Sequence, residues 1–434
     1  MTELQGGSAR PVRPSRRAML AGAAAATGGL AAAVAGGDAT AATAAAAPSS
    51  AARRAPGPFP LQPRTFVTRR GGEFVLDGAP WRWAGTNNYY LHYSSHYMID
   101  SVLNDVAAMQ LKTVRAWAFL DGNASNGVVL QAKPYVYDEN GFEHLDYAVY
   151  KAGQLGLRLV LVLTNNWDDF GGMNQYVKWF SAAGHDDFYT NRQIRKAYRA
   201  YAKHVLNRTN RYTGLAYNAD PTIMTWELAN EPRCSSDTSG DTLVSWADEM
   251  SRYVSRFAPR QLVSVGDEGF FGDPAATDYP YTAYEGVAWK RLVSLPDVDY
   301  GTVHLYPVGW GESADPQAWG HTWITDHIRD GKTLGKPVVI EEFGLPDATQ
   351  TKGYSEAEQV ATYTDWTAAV ESAGGAGDSA WIVTARTDDG ALYGDYDGFR
   401  IVYPSATAAV LTAHAKRQAA WSPATASTAK RAAG

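Results

Sequence analysis

The sequence predicts an α/β fold, a closed (β/α)8 barrel, on three observations. Short apolar runs recur along the chain, their starts roughly 30 to 65 residues apart. Amphipathic helical stretches lie between several of them. An even composition, without internal repeat or second linker, extends from about Thr65 to Trp421. There are eight such runs, and eight βα units close a parallel sheet on itself rather than leaving it open.

In order, Trp81–Gly85 leads into Thr86-Asn87-Asn88-Tyr89-Tyr90, and Thr113–Phe119 carries Arg115 and Trp117. Leu157–Thr164 leads into Asn165-Asn166-Trp167. Ile223–Leu228 leads into Trp226-Glu227-Leu228-Ala229-Asn230-Glu231-Pro232-Arg233. Leu262–Gly266 precedes Asp267-Glu268-Gly269, and Tyr300–His304 is followed by Tyr306. Pro337–Glu342 ends in Glu341-Glu342-Phe343-Gly344, and Ser379–Val383 contains Trp381. Asp105–Met109, Leu145–Leu155, Ile194–Val205, Leu243–Phe257 and Ser355–Ser372 are the clearest helices. In such a barrel the chemistry sits where strands end at their C-terminal side, and the polar and aromatic residues gather there.

Around this domain (65–421) the chain has other business. Ser15-Arg16-Arg17 precedes an Ala/Gly stretch from Ala21 to Gly37, then small residues at Ala39-Thr40-Ala41 and Ala42-Thr43-Ala44. A basic start, an apolar stretch and an A-x-A site in that order form an export signal of the twin-arginine type over 1–44. A Pro/Ala-rich spacer (45–64) follows, and a polar tail (422–434) ends the chain. The expected product is secreted, free of the membrane after cleavage, and monomeric.

The formal net charge is −6, and the 54 N-terminal residues hold six basic and two acidic side chains, so the remainder sits near −10. That balance disfavours nucleic acid and anionic lipid as partners. A single cysteine, Cys234, rules out an intramolecular disulfide. Fourteen Trp and 25 Tyr suit a core, and they equally suit a cleft for sugars, which offer flat apolar faces and hydroxyl edges.

Competing motifs fail on context. His92 and His96 stand at i, i+4 but lack the glutamate of a zinc hydrolase. Gly375-x-Gly377-x-x-Ala380 precedes a strand instead of following one. Asp395-Tyr396-Asp397-Gly398 is a calcium-loop fragment without its closing Glu. Singly, a strand-terminal Glu is a structural carboxylate. Two on different strands, beside Arg, His, Asn and Tyr, are the pair that glycoside hydrolysis needs. Neighbours on a strand face opposite sides, so only one of Glu341 and Glu342 is expected in the mouth; the residues alone do not say which.

Trp-Glu-Leu-Ala-Asn-Glu-Pro-Arg, Gly-Thr-Val-His-Leu-Tyr-Pro and Glu-Glu-Phe-Gly, in this order, resemble glycoside hydrolase family 5. Gly-Thr-Asn-Asn-Tyr-Tyr-Leu, Asn-Asn-Trp-Asp-Asp-Phe-Gly-Gly and Gly-Asp-Glu-Gly resemble its endo-β-1,4-mannanase branch, over about Phe66 to Trp381. The resemblance implies a retaining enzyme acting on β-mannan, without cofactor or metal. It implies Glu231 as acid/base and, through the Glu-aromatic-Gly signature, Glu342 as nucleophile. It further implies that Arg115 and Tyr306 hold the nucleophile, Asn230 binds the sugar 2-hydroxyl and His304 orients the acid/base or leaving group. Trp381 would floor the reacting sugar, Trp117 and Trp167 would be stacking platforms, Asn166 would line the substrate site and Arg233 would serve the aglycone side. Glu227, four residues before Glu231, is expected to be structural. A β-1,4-glucanase or an exo-β-mannosidase is the alternative on the same barrel. A non-catalytic polysaccharide-binding barrel is disfavoured, because both carboxylates are present.

Overall fold

The computed structural model describes residues 63–421. The export signal, spacer residues 45–62 and the tail 422–434 lie outside the described residues.

Eight parallel strands form one sheet: β1 (Trp83–Asn88), β2 (Thr113–Trp117), β3 (Arg158–Val162), β4 (Ile223–Glu227), β5 (Leu262–Ser264), β6 (Gly301–Leu305), β7 (Val338–Phe343) and β8 (Gly377–Ala380). Their order is β5-β4-β3-β2-β1-β8-β7-β6. Backbone bonds from Asp299 N to Val263 O (2.8 Å) and from His304 N to Glu268 O (3.1 Å) bridge β5 to β6 and bring the two ends together. Each strand is followed by a helix: α1 (His96–Ala108), α2 (Glu139–Gln154), α3 (Arg192–Leu206), α4 (Asp241–Phe257), α5 (Trp289–Val293), α6 (Pro316–Leu334), α7 (Glu356–Ala373) and α8 (Ala406–Ala420). The expected strands recur within a few residues. Helix α1 starts nine residues earlier than expected, where Ser95 caps it by accepting from Met98 N. Ser355 and Glu358 cap α7 reciprocally.

A three-stranded antiparallel sheet (Thr68–Arg70, Glu73–Leu76, Ala79–Trp81) precedes the barrel. Its Phe74 joins Val67, Trp83, Val160, Met224, Leu262, Tyr300, Val339 and Ala376 in an apolar cluster, with Phe74 edge-on to Tyr300 at 5.3 Å. Most of these residues begin barrel strands, so the sheet plugs the N-terminal end. Towards the other end the filling becomes charged.

Helix α8 is tied to α7 and to the last barrel strand by a buried histidine. His414 on α8 is buried, with Nδ1 2.6 Å from Glu371 of α7 and Nε2 2.6 Å from Asp378 of β8. Burial alone would lower its pKa, but Asp378 and Glu371 raise it to about 9. The stability contributed is therefore complete below the unfolded value near 6.5 and lost as pH rises through about 9. His414→Gln should cost roughly 2–3 kcal/mol at pH 6 and much less at pH 10, read by thermal melts across that range.

Candidate active site

The segment after β4 is stitched between its neighbours. Asn230 N donates to Thr164 O (2.8 Å), Asn166 N to Asn230 O (3.0 Å) and Glu231 N to Gly266 O (2.8 Å). Glu231 adopts a left-handed backbone, φ 50°. Gly266 lies against it at φ +86°, where a Cβ would stand 2.1 Å from Ala229 O and 2.4 Å from a Glu227 oxygen. Only glycine fits both demands.

At the centre of the mouth lies the guanidinium of Arg115, fully buried on β2. Its Nη2 donates to Glu227 Oε1 (2.5 Å) and Asn230 Oδ1 (2.8 Å), and its Nη1 to Glu342 Oε1 (2.6 Å) and Asn87 Oδ1 (3.2 Å). Nε donates to Glu227 at 3.1 and 3.2 Å and stands 3.6 Å from Glu341. Burial opposes the charge, but Glu227, Glu341 and Glu342 raise the pKa well above its ordinary value. Arg115 is thus a permanent cation shared by three buried carboxylates. Glu227 is the structural carboxylate the sequence implied, and its side chain enters the barrel from the last residue of β4.

Glu342 accepts a second 2.6 Å bond, from the Tyr306 hydroxyl. Across the mouth, Glu231 Oε2 accepts from Trp167 Nε1 (2.5 Å), and Oε1 lies 2.8 Å from His304 Nδ1. His304 is buried, which would discharge it, yet Glu342, Glu231 and Glu341 raise its pKa to about 10. The imidazole is cationic at neutral pH and donates to Glu231.

One expectation is corrected. Glu341 does not turn away from Glu342. Val303 pairs with Ile340 but His304 pairs with Glu342, and the register against β8 slips between Ile340 and Phe343. Glu341 is the extra residue of this bulge, and a bulge breaks the alternation of side chains. Both carboxylates therefore enter the barrel. Glu342 lies beside Tyr306, and Glu341 stands 3.8 Å from His304 Nε2, the ring nitrogen remote from Glu231.

The aromatic residues are held more firmly than platforms need to be. Trp381 donates from Nε1 to Asp397 (2.8 Å) and stacks on Tyr89 at 5.8 Å. Trp117 is buried, packed on Arg115 (4.9 Å) and against Trp381 (6.1 Å). Trp167 pairs its Glu231 bond with a face towards Arg233 at 5.1 Å. Arg233 itself departs from a free sugar-binding arginine: Nε and Nη2 grip Glu268 at 2.6 and 2.7 Å, Nη1 reaches Tyr279 at 3.3 Å, and Phe270 lies 4.9 Å away. Burial pushes the Glu268 carboxyl up to about 7 against the pull of Arg233. Asn166 accepts from Arg233 N (3.1 Å), a loop-fastening contact. Asn230 donates to Asn165 (2.9 Å) while accepting from Arg115, and its second amide hydrogen remains for a ligand.

Ligand atoms of Glu231, His304 and Glu342 lie within 4.8 Å of one another, the one such group among the described residues. A metal ion there would face the guanidinium of Arg115 and a charged imidazole, so the donor set suits protons and sugars rather than a cation. Asp395 and Asp397 accept from Gly398 N and Phe399 N, which occupies them as turn-forming groups.

Two buried carboxylates facing one another across a barrel mouth, each fixed by two donors, define a glycosidase. A model described as glycoside hydrolase family 5 beta-mannosidase-like matches residues 64–370, and the chain belongs to glycoside hydrolase family 5. It is 37% identical over 373 residues to mannan endo-1,4-beta-mannosidase 1 of Oryza sativa subsp. japonica, covering 80% of this chain and 84% of the relative. Among solved structures it resembles the hyperthermostable endo-1,4-beta-D-mannanase of Thermotoga petrophila RKU-1 (44% identity, TM-score 0.73, 78% of this chain and 100% of that one). It also resembles the endo-1,4-beta-mannanase of Rhizomucor miehei (35% identity, TM-score 0.75, 82% and 100%).

Two substitutions test this construction. Arg115→Met leaves three carboxylates without their cation and should destabilise by roughly 3–5 kcal/mol, measured by urea unfolding, whereas Arg115→Lys should recover part of that loss. Gly266→Ala should cost roughly 2–5 kcal/mol from strain and overlap and displace Glu231, so activity should fall further than stability predicts.

Proposed function

We propose that the protein is a secreted, retaining endo-β-1,4-mannanase. The observation that carries the mechanism is the closeness of the two carboxylates: an oxygen of Glu231 and one of Glu342 lie within 4.8 Å. Inverting enzymes hold their carboxyl groups roughly 6.5–9.5 Å apart to admit a water, and retaining ones about 5–5.5 Å apart. Glu342, held by hydrogen bonds from Arg115 and Tyr306, attacks the anomeric carbon while Glu231 protonates the departing oxygen. Glu231 then takes a proton from water, which releases the sugar from Glu342.

Preference for mannan is supported by the relatives, named for that activity, and by the polar groups at the reacting position. Mannan and cellulose differ at the 2-hydroxyl. Both nitrogens of His304 are turned to carboxylates, so reading that hydroxyl falls to the remaining amide hydrogen of Asn230. A site built to pair one epimer leaves polar groups unpaired with the other. The twin arginines support export of the folded precursor.

kcat/KM on linear mannan should exceed that on cellohexaose and on carboxymethyl cellulose by orders of magnitude, and proton NMR of the first product should show the β-anomer. A ratio near one, or an α-anomer first, contradicts the reading. Asn230→Ala should narrow the mannan-to-cellulose ratio as well as lowering the rate. Arg16→Lys with Arg17→Lys should leave the precursor in the cytoplasm, checked by fractionation, because the guanidinium pair is what the export receptor reads.

A further inference from the structure

The bulge in β7 brings into the barrel a carboxylate that the double displacement does not use. Glu341 is buried, with Arg115 Nε at 3.6 Å and His304 Nε2 at 3.8 Å as its nearest cationic groups. Among the described residues, neither oxygen of Glu341 nor Nε2 of His304 has a hydrogen-bond partner. Burying a carboxylate so poorly bonded is costly unless a charge nearby offsets it. The other ring nitrogen, Nδ1, lies 2.8 Å from Glu231 Oε1 and 3.7 Å from Glu342 Oε2. The imidazole therefore bridges the mouth carboxylates and Glu341.

We propose that Glu341 is a positioning residue that holds the Nε2–H side of His304 and thereby governs the protonation of the His304–Glu231 pair. The proposal rests on the reading of Glu231 as acid/base and extends it.

His304 faces Glu231 from the segment after β4, Glu341 and Glu342 from β7, and Asp267 and Glu268 from the segment after β5. Glu341 faces His304, Arg115 from β2 and Glu227 from β4. Burial works against its ionisation, but Arg115 and His304 outweigh that and hold the carboxyl below its ordinary range. When Glu231 delivers its proton to the departing oxygen, the new carboxylate meets an Nδ1–H already in place, and the imidazolium stays balanced by Glu341 below. No proton moves beyond the one delivered. Groups coupled this closely titrate as a unit. Removing the charge of Glu341 lowers the proton affinity of His304 and of the pair, so the basic limb of kcat/KM moves to lower pH.

The test uses the whole chain with Glu341→Gln and Glu341→Asp. Imidazole nitrogen NMR of the ligand-free protein follows His304, identified by the signal lost in His304→Asn, and kcat/KM on linear mannan is measured across pH. Glu341→Gln should lower the His304 titration by at least about one pH unit and move the basic limb in the same direction. Glu341→Asp, which keeps the charge, should restore most of the shift, and it decides the matter through a smaller shift of the same sign if the Gln variant does not fold. A His304 titration identical in variant and parent overturns the proposal, as does a basic limb that stays put. If the parent hydrolyses no mannan, the mannanase reading fails, and the NMR titration still decides the coupling between Glu341 and His304.

Discussion

Everything at the mouth of this barrel depends on one buried guanidinium. Arg115 touches Glu227, Glu342, Asn230 and Asn87 and approaches Glu341. From β2, Arg115 thus reaches residues of β1, β4, β7 and the segment after β4. Burial and the neighbouring Glu341 push the Glu227 carboxyl well above its ordinary range against the pull of Arg115, and a planar cation with five donors serves such a cluster with geometry as well as charge. Lysine carries the charge but not the fork.

From this centre the rest is arranged outwards. Arg115 and Tyr306 each donate to Glu342 and fix its position in the mouth. Glu231 is presented by a left-handed residue lodged against Gly266, and Trp167 and His304 fix its two oxygens. Trp167 is in turn backed by Arg233, which is itself held by Glu268. Behind the charged layer, the apolar plug at the N-terminal end keeps water from the cluster from below. The helices are fastened to this barrel from outside, as His414 fastens α8 to α7 and β8.

Much of this was legible in the sequence because strands of a parallel barrel are continuous apolar runs, and because polar residues stop them abruptly. The eight strands and the polar residues at their ends followed from that contrast, whereas the roles expected of those residues came from the resemblance to glycoside hydrolase family 5. Helices α6 and α8 were less visible: α6 is broken up by Gly320 and Gly331, and α8 buries small alanines that give no strong periodicity. The three short strands before β1 are too brief for alternation to register. The pairing of Arg115 with Glu227 spans 112 residues and has no local signal. The inward turn of Glu341 was illegible for a sharper reason. Two adjacent glutamates imply opposite faces only on a regular strand, and the register slip that overrides this is set by pairing with β6 and β8. The bond from Trp167 to Glu231 was likewise hidden, since an indole suggests stacking before it suggests a donor.

Of the two neighbouring carboxylates, Glu342 is the one proposed to meet the anomeric carbon. A 2-deoxy-2-fluoro mannosyl donor with a good leaving group slows release of the covalent sugar, so the attacked residue can be found by digestion and mass spectrometry. The geometry predicts one added fluorosugar on Glu342, with none on Glu341 or Glu231 and with loss of labelling in Glu342→Ala. A label on Glu341, or turnover of the donor with no covalent adduct in any peptide, would contradict it.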